Sequence, residues 1–277
     1  MKLDLNAAWD QAVRLIAFNR EVVLVLAGVF FFLPQVLFLL LVPIPDLAAA
    51  APAGESSPAM VAAINGFIAE YWWAILLLTL VQTLGGIAVM AVVGDPARPT
   101  VSDAMRRGGT YLLSSIAAQL LISFALTLVF FAAIFAGAVT GSRALVVTLS
   151  LFVLPLILWL GTRLSLSGAS IAIERIGNPV TALRRSWRLT DGSGFRLTAF
   201  YILLFAAFFV ISQVLGLVVT LVTALLGAEL AKVLDALFGG LIYAALMVVA
   251  YAVLASVHRQ LAREQRVSVP GTPAGDP

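Results

Sequence analysis

The sequence predicts an all-α, polytopic membrane protein with six transmembrane helices and cytoplasmic interfacial amphipathic helices. Three observations carry this. Apolar residues make up 62% of the chain and charged ones 11%, with a mean hydropathy of +1.06, where a soluble domain carries about twice that charged fraction. The apolar residues fall in six runs long enough to cross about 30 Å of hydrocarbon. With both termini inside, 15 of the 17 basic residues lie in inner segments, and only Arg143 and Lys232 lie outside. That asymmetry is the positive-inside pattern.

The elements follow in order. Residues 4–19 read as a short amphipathic helix, with Trp9, Val13 and Ile16 on one face and Asp10 and Arg14 away from it. The first span is 22–42, and Pro34 inside it should kink the helix and free the Phe30 carbonyl. LAAAA at 47–51 resembles a signal-peptidase site, but the charged lead and the Pro-interrupted run fit a retained anchor better. Residues 43–58 carry four prolines and read as an external loop. A short helix over 59–70 should then lead, through interfacial Tyr71, Trp72 and Trp73, into a second span at 72–93.

A turn at 94–103 offers an N-cap at Ser102 or Asp103 before a third span at 111–137. A tight turn at 141–143 opens span four, 144–166. Helix continued to 176 would be about 50 Å long, so it must break, tilt or project. Pro155, Gly161 and Gly168 are the expected joints. Span five is 197–225, a short outer connection covers 227–235, and span six is 234–257. The domain thus runs over 1–262, with a disordered tail at 263–277.

The longest stretch that is neither span nor simple loop is 161–196, with six of the fifteen arginines. Arg163, Ser167, Ser170 and Glu174 recur at helical spacing and should form one polar stripe. That helix should stop at Gly177, with Asn178 as N-cap and Pro179 as first residue of the next. In the second helix Val180, Leu183 and Trp187 share a side, while Thr181, Arg184, Arg185 and Arg188 lie elsewhere. An apolar face with a Trp beside an Arg-rich face lies in the headgroup plane of a bilayer. Arg163, Ser167, Ser170, Glu174, Arg184, Arg185, Trp187 and Arg188 are therefore the candidate headgroup or partner site, with phospholipid phosphate the expected partner. Another membrane or envelope protein is the alternative partner, and a helix end emerging into water is the alternative reading of the stripe. Nothing points to nucleic acid.

AAW at 7–9, DAMRR at 103–107 and TALRRSW at 181–187 each precede an odd-numbered span. They fit three copies of one unit, interfacial helix, span in, span out; the alternative is that any short helix beside a membrane looks like this.

The segments 172–179 (AIERIGNP), 182–192 (ALRRSWRLTDG) and 195–196 (FR) resemble the membrane domain found with some bacterial glycerophosphoryl diester phosphodiesterases, and are similar to related bacterial multi-span proteins of unassigned role. The resemblance is sharpest over 160–200. It implies a standalone six-span domain near envelope lipids in a bacterial inner membrane. The catalytic barrel of those enzymes, about 250 residues, has no counterpart in this chain, and no catalytic residue carries over.

Intrinsic chemistry is sparse. The chain has no cysteine and one histidine, His258. With no nucleophile or carboxylate constellation visible beside it, an interfacial helix residue is a simpler reading than a catalytic base. No cofactor or metal is expected. No Asp, Glu or Lys lies well inside a span, which argues against a proton relay. Gln35, Gln82, Gln119 and Gln213 do lie inside spans. Interhelical hydrogen bonding is their plainest role, and the polar lining of a pocket for an amphipathic ligand is the functional one. Ala236, Gly240 and Ala244 mark a close-packing face. The function that fits is a non-enzymatic inner-membrane protein that binds lipid or scaffolds partners through an Arg-rich cytoplasmic collar, the helix that carries Arg184, Arg185 and Arg188. A carrier of a lipid or small amphipathic solute is second, and an intramembrane enzyme third.

Overall fold

The computed structural model describes residues 4–45, 58–94, 100–139, 141 and 143–267. It is all α-helix, with no strand among the described residues. The helices are α1 (Leu5–Phe18), α2 (Arg20–Ala27), α3 (Leu33–Leu41), α4 (Pro58–Gly94), α5 (Val101–Val139), α6 (Arg143–Leu164), α7 (Ser167–Glu174), α8 (Pro179–Leu189), α9 (Gly194–Thr223) and α10 (Ala228–Val267). A π-helical turn, Gly28–Phe32, joins α2 to α3. Among the described residues six helical stretches are long and apolar enough to cross a membrane: Arg20–Leu41, Pro58–Gly94, Val101–Ala136, Val147–Glu174, Gly194–Thr223 and Ala228–Gln265. The chain is a multi-pass membrane protein. Its end carrying α1, α8 and the last turns of α10 is called the charged end below.

Several boundaries differ from those the sequence predicts. The separate helix at 59–70 does not exist: α4 runs unbroken for 37 residues, because Gly66 alone is too weak a breaker. The N-cap of α5 is Thr100, not Ser102 or Asp103. Asp103 instead closes a reciprocal box, accepting from the Thr100 N–H at 3.2 Å while the Asp103 N–H donates to Thr100 Oγ1 at 3.2 Å. The 227–235 connection shrinks to Ala224–Gly227, since α10 already begins at Ala228. The same helix continues to Val267, beyond the expected end of order at 263. The signal-like site at 47–51, the rest of the 46–57 loop, residues 95–99, two residues of the 140–143 turn and the tail from 268 lie outside the described residues.

Pro34 and the long fourth span are resolved by local devices. The π-turn lets the Leu33 N–H reach the Gly28 carbonyl. The widened turn absorbs the missing Pro34 donor without ending the helix. Helix α6 passes through Pro155 and breaks at Ser165–Leu166, at none of the three expected joints. Helix α7 ends at Glu174 rather than Gly177, because Arg175 adopts the left-handed conformation, φ 60°. Helix α8 begins as predicted: Asn178 Oδ1 accepts from the Val180 and Thr181 N–H groups at 2.9 and 3.3 Å.

Of the three short helices expected before odd-numbered spans, the second is not separate, because one helix runs unbroken from Val101 to Val139; the three helix starts nonetheless pack alike. Asp4, Thr100 and Asn178 each start a helix, and their carbonyls accept from Ala8, Ala104 and Ala182, all at 3.0 Å. Those three alanines are fully buried. One turn later stand Ala12, Gly108 and Ser186, all buried as well. Small residues at these positions let each helix press its backbone onto an even-numbered span. Helix α1 lies on α10, where Ser256 Oγ donates to the Ala8 carbonyl at 2.6 Å. Helix α5 lies on α4: a Cβ on Gly108 would sit 3.1 Å from the Leu84 carbonyl oxygen. Helix α8 lies on the α6–α7 break, where Ser186 Oγ donates to the Arg163 carbonyl at 2.7 Å.

The core lies where α1, α2, α4 and α10 meet, around Leu26, Phe31, Val89, Val93 and Val253. Phe31 stacks on Tyr251 with centroids 5.7 Å apart. The close-packing face of α10 is as predicted. Ala236 and Ala244 are buried, and Gly240 meets Val36 and the Phe32 carbonyl so closely that a Cβ would lie 2.5 Å from Val36.

Candidate functional site

The polar residues at the charged end form two clusters rather than one stripe. The helix is interrupted at Ser165–Leu166, between Arg163 and Ser167, and Arg163 and Glu174 take separate partners, so the one continuous stripe expected from spacing is not formed.

The first cluster surrounds Arg163 in the last turn of α6. Its guanidinium Nη2 donates to the Trp187 carbonyl at 2.9 Å and to Asp191 Oδ1 at 3.2 Å. It lies 4.1 Å from the Trp187 ring centroid and 5.3 Å from that of Trp159. The two indoles meet edge to face at 5.8 Å. The Arg163 side chain is 10% exposed and that of Asp191 80% exposed. Arg163 thus meets the cost of a guanidinium at the membrane edge with contacts inside the chain. It fastens α8, and the loop after it, onto α6. Gly194, packed beside Trp159 and Arg163, opens α9 under this cluster.

The second cluster surrounds Glu174, the last residue of α7. Arg185 from α8 grips its carboxylate, with Nε at 2.9 Å from Oε2 and Nη2 at 3.0 Å from Oε1. Such paired guanidinium bonds are directional as well as strong. Arg185 Nη1 also donates to Gln265 Oε1 at 2.7 Å, and Gln265 Nε2 donates to the Arg188 carbonyl at 2.8 Å. His258 of α10, 2% exposed, brings Nε2 to 3.1 Å from Glu174 Oε1. This approach is electrostatic rather than an aligned hydrogen bond, for neither ring nitrogen has a hydrogen-bond partner among the described residues. One carboxylate therefore joins α7, α8 and α10.

Of the predicted site residues, Arg185 is occupied inside the protein and does not face lipid as its helical position implied. Arg184 and Arg188 are exposed. Val180 and Trp187, 45% and 38% exposed, share that outer side. The buried side of α8 is Ala182, Ser186 and Leu189. Ser170 is buried, and its hydroxyl returns to the Leu166 carbonyl. Helix α1 repeats the arrangement: Ala8 and Ala12 face the protein, while Trp9, Val13 and Arg14 face outward.

Three glutamines pair across helices. Gln82 Nε2 donates to Gln35 Oε1 at 3.3 Å, and the Tyr243 hydroxyl donates to Gln82 Oε1 at 2.7 Å. Gln119 and Thr83 meet at 3.5 Å. Gln213 is exposed on α9. The four thus line no common pocket. Gln119 does border a cavity of about 140 Å³ with Thr83, Ser115, Ser165, Ser167 and Tyr251. The Ser115 hydroxyl is buried there, with no hydrogen-bond partner among the described residues.

Sequence reasoning missed Trp159, Asp191, Arg259, Arg263 and Gln265. The helical spacing of His258, Arg259, Arg263 and Gln265 was readable. It gained meaning only once α10 was known to run past 263. Among the described residues no cluster of His, Asp and Glu could hold a metal ion.

No curated protein and no solved structure matches the chain. The model of one family, described as a domain of unknown function (DUF7847), matches residues 3–264, and the chain belongs to that family.

Proposed function

We propose that this protein is a non-enzymatic, lipid-binding scaffold of a bacterial inner membrane, with both termini in the cytoplasm. The single observation that carries the reading is the two-sidedness of α1 and α8. Their small-residue faces are used up in packing, which leaves Trp9 and Val13 beside Arg14, and Val180 and Trp187 beside Arg184 and Arg188, facing outward. Indoles seat at the headgroup level, and each arginine near an anionic surface contributes about 1 kcal/mol. The division of basic charge between the two ends supports the orientation. The likeness of 160–200 to the phosphodiesterase membrane domain supports a place among envelope lipids.

The test is lipid retention by the full chain. Purified from mixed bilayers, it should retain phosphatidylglycerol over phosphatidylcholine, less so at high salt. Arg184→Gln with Arg188→Gln should reduce the anionic lipid held. Equal retention of both lipids by the unaltered protein would refute the collar.

A second reading, a carrier of a lipid or small amphipathic solute, is favoured by the 140 Å³ cavity beside a broken helix. Flux of a solute through proteoliposomes would distinguish it from a scaffold.

A further inference from the structure

A second basic feature lies behind the collar. A cavity of about 710 Å³ opens at the charged end between Gly94 of α4, Glu174 of α7, Arg185 of α8, and His258, Arg259 and Arg263 of α10. Helices α4, α7 and α10 carry the ends of the three even-numbered spans, so the cavity lies where those ends converge. We propose that it binds a phosphate monoester, the group shared by a phosphatidate-type lipid headgroup and a free phosphate ester. This deepens the lipid-binding reading by naming a headgroup class and a place for it.

The charge balance decides the sign of the ligand. Arg185 and Glu174 neutralise each other in their doubly bonded pair. Two guanidiniums remain. Arg259 has one long protein contact among the described residues, Nη1 to the Val93 carbonyl at 3.4 Å. Arg263 is exposed. The C-termini of α4 and α7 reach the same cavity, and each carries roughly half a negative charge. Two full positive charges outweigh two half negative ones, so an anion is favoured.

Geometry narrows the class. Arg259 and Arg263 stand one turn apart on one face of α10, about 6 Å along the axis. Like charges at that spacing repel, and a bridging dianion removes the repulsion. Guanidinium forks match phosphate oxygens. His258 is buried against the cavity, with Nε2 turned to Glu174 at 3.1 Å and Nδ1 without a hydrogen-bond partner among the described residues. The cavity is several times larger than a phosphate and falls in the size range of small-ligand sites. It admits a glycerol or similar alcohol as well. Gly94 shapes the wall, since a Cβ there would lie 2.6 Å from Ile173.

The experiment is native mass spectrometry of the full chain with dioleoyl phosphatidate, phosphatidylglycerol and glycerol 3-phosphate as probes. The unaltered protein should hold one phosphatidate more tightly than phosphatidylglycerol. Arg259→Gln with Arg263→Gln should weaken that binding by about tenfold or more. Arg259→Lys with Arg263→Lys should restore part of it, since the charges return without the fork. Displacement of phosphatidate by millimolar glycerol 3-phosphate assigns the site to a soluble phosphate ester; retention against it assigns the lipid headgroup. Arg184→Gln with Arg188→Gln should lower total anionic lipid and leave the single phosphatidate in place. Unchanged phosphatidate binding in the Arg259/Arg263 variant, or no binding of either phosphate monoester by the unaltered protein, overturns the site. The collar reading stands or falls separately, on the Arg184/Arg188 variant. If the double variant does not insert, Arg263→Gln alone carries the test, because its side chain is exposed and supports no packing.

Discussion

Replacing Arg163 with glutamine tests whether the collar is fastened from within. The guanidinium makes a charge-assisted hydrogen bond to the Trp187 carbonyl at 2.9 Å, worth about 2 kcal/mol. Its position 4.1 Å over the Trp187 ring adds about 1 kcal/mol as a cation–π contact. The ion pair with Asp191 adds only a few tenths, because that carboxylate is 80% exposed and screened. The Trp187 carbonyl keeps a bond from Thr190 Oγ1 at 3.1 Å, so no acceptor is orphaned by the change. The expected cost is about 3 kcal/mol. It should appear as an earlier midpoint in detergent-driven unfolding, followed by tryptophan fluorescence. A cycle of Arg163→Gln and Trp187→Leu should return a coupling of at least about 1 kcal/mol, while Asp191→Asn alone should cost less than about 0.5 kcal/mol. A cost for Arg163→Gln below about 0.5 kcal/mol, or no coupling to Trp187, would show that Arg163 does not hold α8. The site would then be sought among ligands of Arg163, as the sequence alone proposed.

The other predictions are simpler. Glu174→Gln should destabilise by about 2 kcal/mol, since it removes the shared anchor of Arg185 and His258; an unchanged unfolding midpoint would refute the three-helix joint. Asn178→Ala should cost about 1 kcal/mol through loss of the cap on Val180 and Thr181, and Asn178→Gly only a few tenths. Gly86→Ala should broaden or lower the unfolding transition, because a Cβ there would lie 2.5 Å from the Tyr251 ring; pairing it with Tyr251→Leu should recover stability. Gln82→Leu removes the Tyr243 and Gln35 bonds and should cost about 0.6–1 kcal/mol.

How much the sequence determined follows from range. Membrane spans are local: about twenty apolar residues cross hydrocarbon wherever they sit, so the six spans were readable from composition alone. The cap at Asn178–Pro179 was readable for the same reason, since its side chain serves N–H groups two and three residues away. The likeness of the three helix starts was readable too, but the unit drawn from it was not, since the second start has no separate helix and runs straight into its span. Only the packed structure shows that Ala8, Ala104 and Ala182 are the invariant of those starts, small residues where backbones touch. Breaks were misplaced because tertiary partners chose them. Ser165–Leu166 opens where Ser186 and Thr190 of α8 take the Arg163 carbonyl. The clusters lay furthest out of reach. Glu174 meets Arg185 eleven residues on and His258 in another span, and Arg163 finds Trp187 and Asp191 across a helix break. Spacing assigns a side chain to a face of its own helix. Which face of which other helix meets it depends on how the spans assemble, and that is decided by the tertiary structure.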